Sequence, residues 1–174
     1  DPLFITPADE DFWVNATAPA DFDNDGDLDI AVIGYYVIYN VGAEYKLVLM
    51  RNEGMIGANE WDFSYVDVPM GSMSSGSSDL AWGDYDNDGY PDLYVTNGAQ
   101  GYKQQNFLYH NNGDGTFTRI TTGAQSTDQF ISGGCSWGDF DNDGDLDLYV
   151  ATTVDNFNDP NKENFLYVNN GNGT

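Results

Sequence analysis

Three short segments of the chain repeat one arrangement of acidic residues that could bind a metal ion. Each has aspartate at positions 1, 3, 5 and 9 and glycine at position 6. Carboxylates this close repel one another unless a cation lies among them. Ca²⁺ takes six to eight oxygen ligands in a flexible shell, whereas Mg²⁺ demands a tighter octahedron. The spacing therefore predicts three calcium sites, in the first loop (residues 21–29), the second loop (84–92) and the third loop (139–147).

We expect each ion to be held by the four aspartate side chains and by the backbone carbonyl of position 7. The predicted ligands of the first loop are Asp21, Asp23, Asp25 and Asp29 with the Asp27 carbonyl. Those of the second are Asp84, Asp86, Asp88 and Asp92 with the Tyr90 carbonyl, and those of the third are Asp139, Asp141, Asp143 and Asp147 with the Asp145 carbonyl. The glycine supplies the sharp turn.

An EF-hand loop begins with the same spacing but closes with a bidentate acid at position 12. Here position 12 is Val32, Val95 or Val150. The residues that flank the second loop, 80–82 and 93–96, form short β-prone runs without helical periodicity. The loops are therefore predicted to join strands.

Each loop belongs to a longer repeat of predicted strands. One strand follows the loop directly, and another ends in an Asn/Gly turn (47–52, 106–111 and 164–169). A further strand follows that turn in the first two copies (61–66 and 116–121). The pattern predicts an all-β fold, a β-propeller-like array of three four-stranded antiparallel blades. We place the repeats of this single domain at residues 12–68, 78–121 and 130–174, with the last blade lacking its fourth strand.

The second repeat carries the most complete motif. It reads Trp82-Gly-Asp-Tyr-Asp-Asn-Asp-Gly, then Asp92-Leu-Tyr-Val, Asn106-Phe-Leu-Tyr and Asn111-Asn-Gly-Asp-Gly-Thr-Phe117. This unit closely resembles the FG-GAP/VCBS repeat of integrin-α-like propellers. The resemblance implies a calcium-bearing blade of an extracellular or cell-surface protein, with the ion in the loop between the first two strands. The first repeat departs most, because Pro19 stands where the others have Trp82 and Trp137.

The ends of the array raise the question of assembly. Known propellers use roughly four to eight blades, so three leave the array open. The third repeat lacks a strand, and residues 3–6 near the amino terminus have the β-prone character of one. Either the chain is part of a longer propeller, or this strand of one copy completes the last blade of the next. Such a head-to-tail contact gives a ring or a filament. Alternatively, residues 3–6 are a frayed terminus.

Composition excludes several classes of partner. The 174 residues include 29 acids and 5 bases, for a formal net charge of −24. This charge argues against binding to nucleic acid or to anionic membranes. The longest apolar run, residues 30–39, is too short to span a bilayer. The single cysteine, Cys135, is expected to be a small core residue. Because one cysteine cannot form a disulfide within the chain, calcium is the expected stabilising cross-link. Asn15 and Asn172 begin N-glycosylation sequons.

The acidic loops, the repeated strands and the resemblance together favour a non-catalytic, calcium-stabilised extracellular module that serves assembly or adhesion. Its expected partners are further copies of itself or the remaining blades of a longer protein. His110 has no fixed catalytic partner in the sequence and is expected to be a solvated strand residue. One alternative is a lectin-like propeller that binds a protein or glycan through tyrosines in the connection after the second strand (Tyr35, Tyr36, Tyr39 and Tyr45). Another is a fragment of a polysaccharide-active enzyme, because some similar propellers act on polysaccharides.

Overall fold

The computed structural model describes residues 12–38, 42–58, 60–69, 76, 79–98, 103–153 and 163–171. These residues form an all-β structure of three four-stranded antiparallel sheets, as the sequence predicted. The proposed strand at residues 3–6, and also Tyr39 and Asn172, lie outside the described residues.

The first two sheets are meanders. The first contains β1 (Phe12–Ala20), β2 (Asp29–Ile38), β3 (Gly42–Met55) and β4 (Trp61–Val66), in that order. The second contains β5 (Leu80–Gly83), β6 (Asp92–Val95), β8 (Phe107–Asn111) and β9 (Phe117–Ile120). These segments are rich in β-branched and aromatic residues, which fit a pleated, half-buried surface.

The third sheet combines strands from two repeats. The third repeat supplies β10 (Gln129–Gly138), β11 (Asp147–Thr153) and β12 (Phe165–Tyr167). The remaining edge is β7 (Gln104–Gln105), a two-residue strand of the second repeat that pairs with Gln129 and Phe130. A four-residue helix, α1 (Ala124–Thr127), precedes β10. The third repeat therefore lacks a fourth strand of its own in the described residues, and β7 is an addition that the sequence did not predict.

Each acidic loop closes a hairpin between the first two strands of its repeat. The aspartate at position 9 pairs with the residue just before the loop: Asp29 with Ala20, Asp92 with Gly83, and Asp147 with Gly138. This common register places the three loops at equivalent positions in their sheets.

The buried apolar side chains lie mainly between neighbouring sheets. One cluster joins residues such as Ile33 and Leu49 of the first sheet to Leu93 and Val95 of the second. A second cluster joins the second and third sheets through Tyr85, Tyr94, Leu108, Leu148 and Val150, with Cys135 and Trp137 packed against it. Each sheet thus buries a face against its neighbour, as in a propeller.

The surroundings of Cys135 and of the tyrosines bear on two expectations from the sequence. Cys135 packs against the second cluster, which confirms its assignment to the core. Tyr35 and Tyr45, two of the four tyrosines, however, lie on strands and not in a connection: Tyr35 is on β2 and Tyr45 is on β3, where they are register partners with ring centroids 5.2 Å apart. β2 and β3 are longer than predicted, so this pair belongs to the sheet. In the described part of the chain, no helix has the length and apolar character needed to cross a membrane.

Candidate metal centre

The three acidic loops share one backbone conformation. Asparagine at position 4 adopts the left-handed region in each, with φ of 59° at Asn24, 59° at Asn87 and 62° at Asn142. The glycine at position 6 also has positive φ, between 93° and 98°. Asparagine and glycine are the residues that adopt these conformations most readily. The Asn-Asp-Gly core of the motif therefore encodes the turn itself.

Carboxylates hold this turn through backbone hydrogen bonds. In the second loop, Asp84 accepts hydrogen bonds from the N–H groups of Asp88 at 3.0 Å and Gly89 at 2.9 Å. Position 1 of the other loops accepts the same pair at 3.1–3.2 Å. The carboxylate at position 5 accepts a bond from the N–H of position 7, at 2.9 Å in every loop. These bonds curl the loop and bring its acidic side chains together.

The aspartate at position 9 connects two parts of each repeat. Asp92 is fully buried, and its two oxygens accept hydrogen bonds from the N–H groups of Tyr85 at 3.1 Å and Asn111 at 2.8 Å. Asp29 and Asp147 make the equivalent pairs. This residue therefore ties position 2 of the loop to the end of the third strand, whether or not it also contacts an ion.

Three carboxylates converge in each loop. Their oxygens lie within 4.8 Å of one another in the following sets: Asp21, Asp23 and Asp29; Asp84, Asp86 and Asp92; Asp139, Asp141 and Asp143. Calcium–oxygen distances of 2.3–2.6 Å place two ligands of one ion at most about 5 Å apart. Hard carboxylate oxygens at this spacing fit Ca²⁺.

The remaining predicted ligands have different positions. Asp25 and Asp147 lie outside these sets of three, and Asp88 groups with Asp86 and His110. At position 7, the backbone N–H groups of Asp27, Tyr90 and Asp145 donate to position 5. That their carbonyls bind an ion stays a prediction.

Burial makes the ionised form of several loop carboxylates unfavourable. It raises the pKa of Asp92 to about 7, and Asp86 adds to the rise, although backbone N–H groups and His110 act in the opposite direction. Burial also raises the pKa of Asp29. The pKa values of Asp23 and Asp86 are raised by burial first and by the adjacent Asp25 and Asp88 next. A divalent cation among these groups would oppose both effects.

The loops differ in the residue at one neighbouring strand position. Arg51 lies 3.8 Å from Asp23 in the first repeat. In the second, His110 Nδ1 lies 3.2 Å from Asp92 and 3.3 Å from Asp86. His110 lies on a strand, β8, as expected, but the expectation that it is solvated was wrong, because its side chain is half-buried against the loop. The third repeat has Val168 here, which brings no charge to its loop.

Hydrogen bonds also join the first and second loops to the repeat that follows each of them. Asn24 donates to the Gly89 carbonyl at 2.9 Å, and Asn87 donates to Asp145 Oδ1 at 2.6 Å. The asparagine that ends the third strand reaches back: Asn111 donates to the Phe22 carbonyl and Asn169 to the Tyr85 carbonyl, both at 2.6 Å. The candidate metal loops are therefore part of the contacts between repeats.

Tryptophan makes a further contact of this kind. The Trp82 indole N–H donates to the Ala18 carbonyl at 3.0 Å, and the ring stacks on Phe22 with centroids 5.7 Å apart. Trp137 donates to the Ala81 carbonyl at 3.2 Å and stacks on Tyr85 at 6.3 Å. Sequence reasoning noted these tryptophans and asparagines as motif residues but missed their role. Their recurrence at one offset from each loop was the available signal.

Comparison with known families bears on this repeated unit. Residues 97–150 match the family model of the FG-GAP-like repeat. The chain contains an FG-GAP-like repeat. The match begins just after β6, runs through the third loop and ends within β11, so it spans the junction between the second and third sheets. The first and second loops lie outside the matched residues but repeat their acidic pattern and hydrogen bonds. No curated protein matches the chain significantly.

Proposed function

We propose that the chain is a calcium-stabilised, non-catalytic repeat module of an extracellular β-propeller-type protein, and that it serves assembly or adhesion. The observation that carries this proposal is the convergence of three carboxylates in each of three loops with the same conformation. The proposed ligands are the aspartates at positions 1, 3, 5 and 9, with the carbonyl of position 7.

The bound ion would act on the contacts between repeats as well as on its own loop. Position 2 of the loop, Phe22 or Tyr85, is fixed by its backbone N–H to the aspartate at position 9. The same residue offers its ring to a tryptophan and its carbonyl to an asparagine of the next repeat. Calcium would neutralise the loop's charge, hold this residue in place and so stabilise the junction.

The FG-GAP-like repeat supports the rest of the proposal. Repeats of this family are generally non-catalytic and occur in extracellular or cell-surface proteins, and we extend both properties to this chain. We propose further repeats or further copies of the chain as its partners. In either case assembly would proceed through the contacts that already join its three repeats.

Calcium titration tests the proposed sites directly. Isothermal titration calorimetry of the chelator-treated protein is expected to give three bound ions per chain. When the free Ca²⁺ concentration is about 100 times the Kd of a site, binding at that site adds roughly 2.7 kcal/mol to the free energy of unfolding. That corresponds to an increase in Tm of about 5–10 °C for a chain of this size. Excess chelator is expected to remove the gain.

Matched variants assign the effect to a loop. The double substitution Asp84→Asn with Asp86→Asn should remove one ion and its share of the Tm increase. Asp62→Asn is the control, because Asp62 is exposed on β4, outside the loops, and should leave three ions bound. A Tm that is the same in calcium and in chelator would refute calcium stabilisation. The same titration with Mg²⁺ measures the selectivity that the oxygen-rich loops predict.

A further inference from the structure

The outer face of the third sheet presents side chains whose counterparts are buried in the preceding repeats. Phe140 at loop position 2 is 69% exposed, whereas Phe22 is 1% and Tyr85 8% exposed. Tyr149 is 44% and Leu166 is 39% exposed, while their second-repeat counterparts, Tyr94 and Leu108, are buried. Phe140, Tyr149 and Leu166 define what we call the outer face.

The outer face consists of the counterparts of residues that surround Trp137 at the second junction. Trp137 lies against Tyr85 and Tyr94 of the second repeat, with ring centroids 6.3 and 6.1 Å away. The corresponding residues of the third repeat line an open cleft of about 340 Å³, together with Trp137 and Gly138. Among the described residues, no indole ring from another repeat fills this cleft.

The glycine that lies against tryptophan at the second junction recurs in the third repeat. A Cβ atom added to Gly83 would lie 2.5 Å from Cγ of Trp137, so this glycine makes room for the tryptophan of the next repeat. A Cβ added to the equivalent Gly138 would meet nothing within 4 Å. The third repeat therefore keeps the glycine but, in the described structure, has no side chain above it.

The hydrogen-bond acceptors of the junction recur as well. The carbonyls that accept from tryptophan and asparagine at the second junction belong to Ala81 and Tyr85. Their counterparts in the third repeat are the carbonyls of Ser136 and Phe140, by alignment of the loops. The third repeat thus has the two carbonyls that, at the second junction, accept hydrogen bonds from a tryptophan and an asparagine of the next repeat.

We propose that the outer face binds a further FG-GAP-like repeat that carries tryptophan at the position of Trp82 and Trp137, following the third repeat as the second follows the first. The first repeat of a second copy fits less well, because Pro19 has neither the indole ring nor the N–H that the junction uses. This inference rests on the proposed function only for the idea of assembly. It does not require that the loops bind calcium.

An extended chain tests the proposal. In it, Thr174 is followed by a second copy of residues 117–133 and then of residues 79–121, so that a copy of the Trp82 repeat follows the third repeat. The matched control carries Trp82→Pro in the appended copy alone. Hydroxyl-radical footprinting measures oxidation of Phe140 and Tyr149, whose peptide occurs once in both chains. We expect at least a fivefold decrease in oxidation relative to the native chain, and close to native oxidation in the control.

A small probe tests the native chain without any added repeat. N-acetyl-tryptophanamide should shift the NMR resonances of Phe140 and Tyr149 saturably, at millimolar concentration, and Phe140→Ala should abolish the shifts. N-acetyl-prolinamide, which mimics the first repeat, should cause none. If N-acetyl-tryptophanamide leaves these resonances unchanged, the cleft is not a tryptophan site and the proposal fails, even where the extended chain does not fold.

Light scattering of the native chain separates the alternative occupant. Concentration-dependent oligomers with protected Phe140, which Phe140→Asp disperses, would identify a second copy as the partner and overturn our assignment. A monomer with freely oxidised Phe140 is the expected result. Calcium binding, measured calorimetrically on the same samples, reports on the proposed function independently, so either proposal can fail while the other holds.

Discussion

Single aspartates in the loops have two different tasks. Asp92 is buried and accepts hydrogen bonds from two buried backbone N–H groups, those of Tyr85 and Asn111. Asp88 is exposed, and its carboxylate accepts one bond, from Tyr90. The same acidic motif therefore contains residues that stabilise the repeat without metal and residues whose main proposed role requires it.

Substitutions in chelator should separate these tasks. Asp92→Ala should lower the free energy of unfolding by roughly 2–6 kcal/mol, because each buried N–H left unpaired costs about 1–3 kcal/mol. Asp88→Ala should cost less than about 1 kcal/mol under the same conditions, since it removes one exposed hydrogen bond. Urea denaturation in the presence of EDTA measures both. Equal effects would show that position 9 does not have the structural role assigned to it.

At the scale of the element, an asparagine near the end of the third strand recurs in every repeat and bonds to the preceding repeat in two of the three. Asn52, Asn111 and Asn169 are all buried and make the same contacts within their own repeats. Asn111 and Asn169 also donate to a carbonyl of the preceding repeat. Asn52 belongs to the first repeat, and among the described residues it makes no hydrogen bond to another repeat.

These three residues form a natural comparison. Asn111→Ala and Asn169→Ala should each destabilise the protein by about 1 kcal/mol more than Asn52→Ala does. This difference is the typical net contribution of the one additional hydrogen bond that each of them loses. Thermal unfolding of the three variants in saturating calcium gives the difference. If Asn52→Ala is as costly as the others, the bond between repeats contributes nothing measurable to stability.

Sequence reasoning found the elements better than it found the contacts between them. The loops were predictable because Asp, Asn and Gly specify a turn through local chemistry, and hydrophobic alternation specified the strands. The pairing of β7 with β10 was not predictable, because two glutamines carry no strand signal and only tertiary contact orders them. The environment of His110 was missed for a similar reason: its partners, Asp86 and Asp92, come close only when the loop folds beside β8.

At the scale of the whole molecule, the row of repeats has a direction, because one end differs chemically from the other. A single repeat does not have this property. Each junction uses the loop aromatic of one repeat and the tryptophan of the next, so the two ends of the array are chemically different. The first repeat, with Pro19, lacks the tryptophan that would reach a preceding repeat. The third repeat, with exposed Phe140, has the surface that would accept a following one.

This asymmetry predicts a large effect at one position and almost none at the equivalent position, for the same substitution. Phe22→Ala should cost about 3–5 kcal/mol, because it removes a buried ring that stacks on Trp82 and meets Phe117 edge-on. Phe140→Ala should change the free energy of unfolding of the native chain by less than about 0.5 kcal/mol, since its ring is exposed. Urea denaturation in saturating calcium measures both. In the extended chain the cost of Phe140→Ala should rise towards that of Phe22→Ala, because the appended tryptophan would then cover its ring. A cost that stays near zero there would mean that the appended repeat does not dock on the outer face.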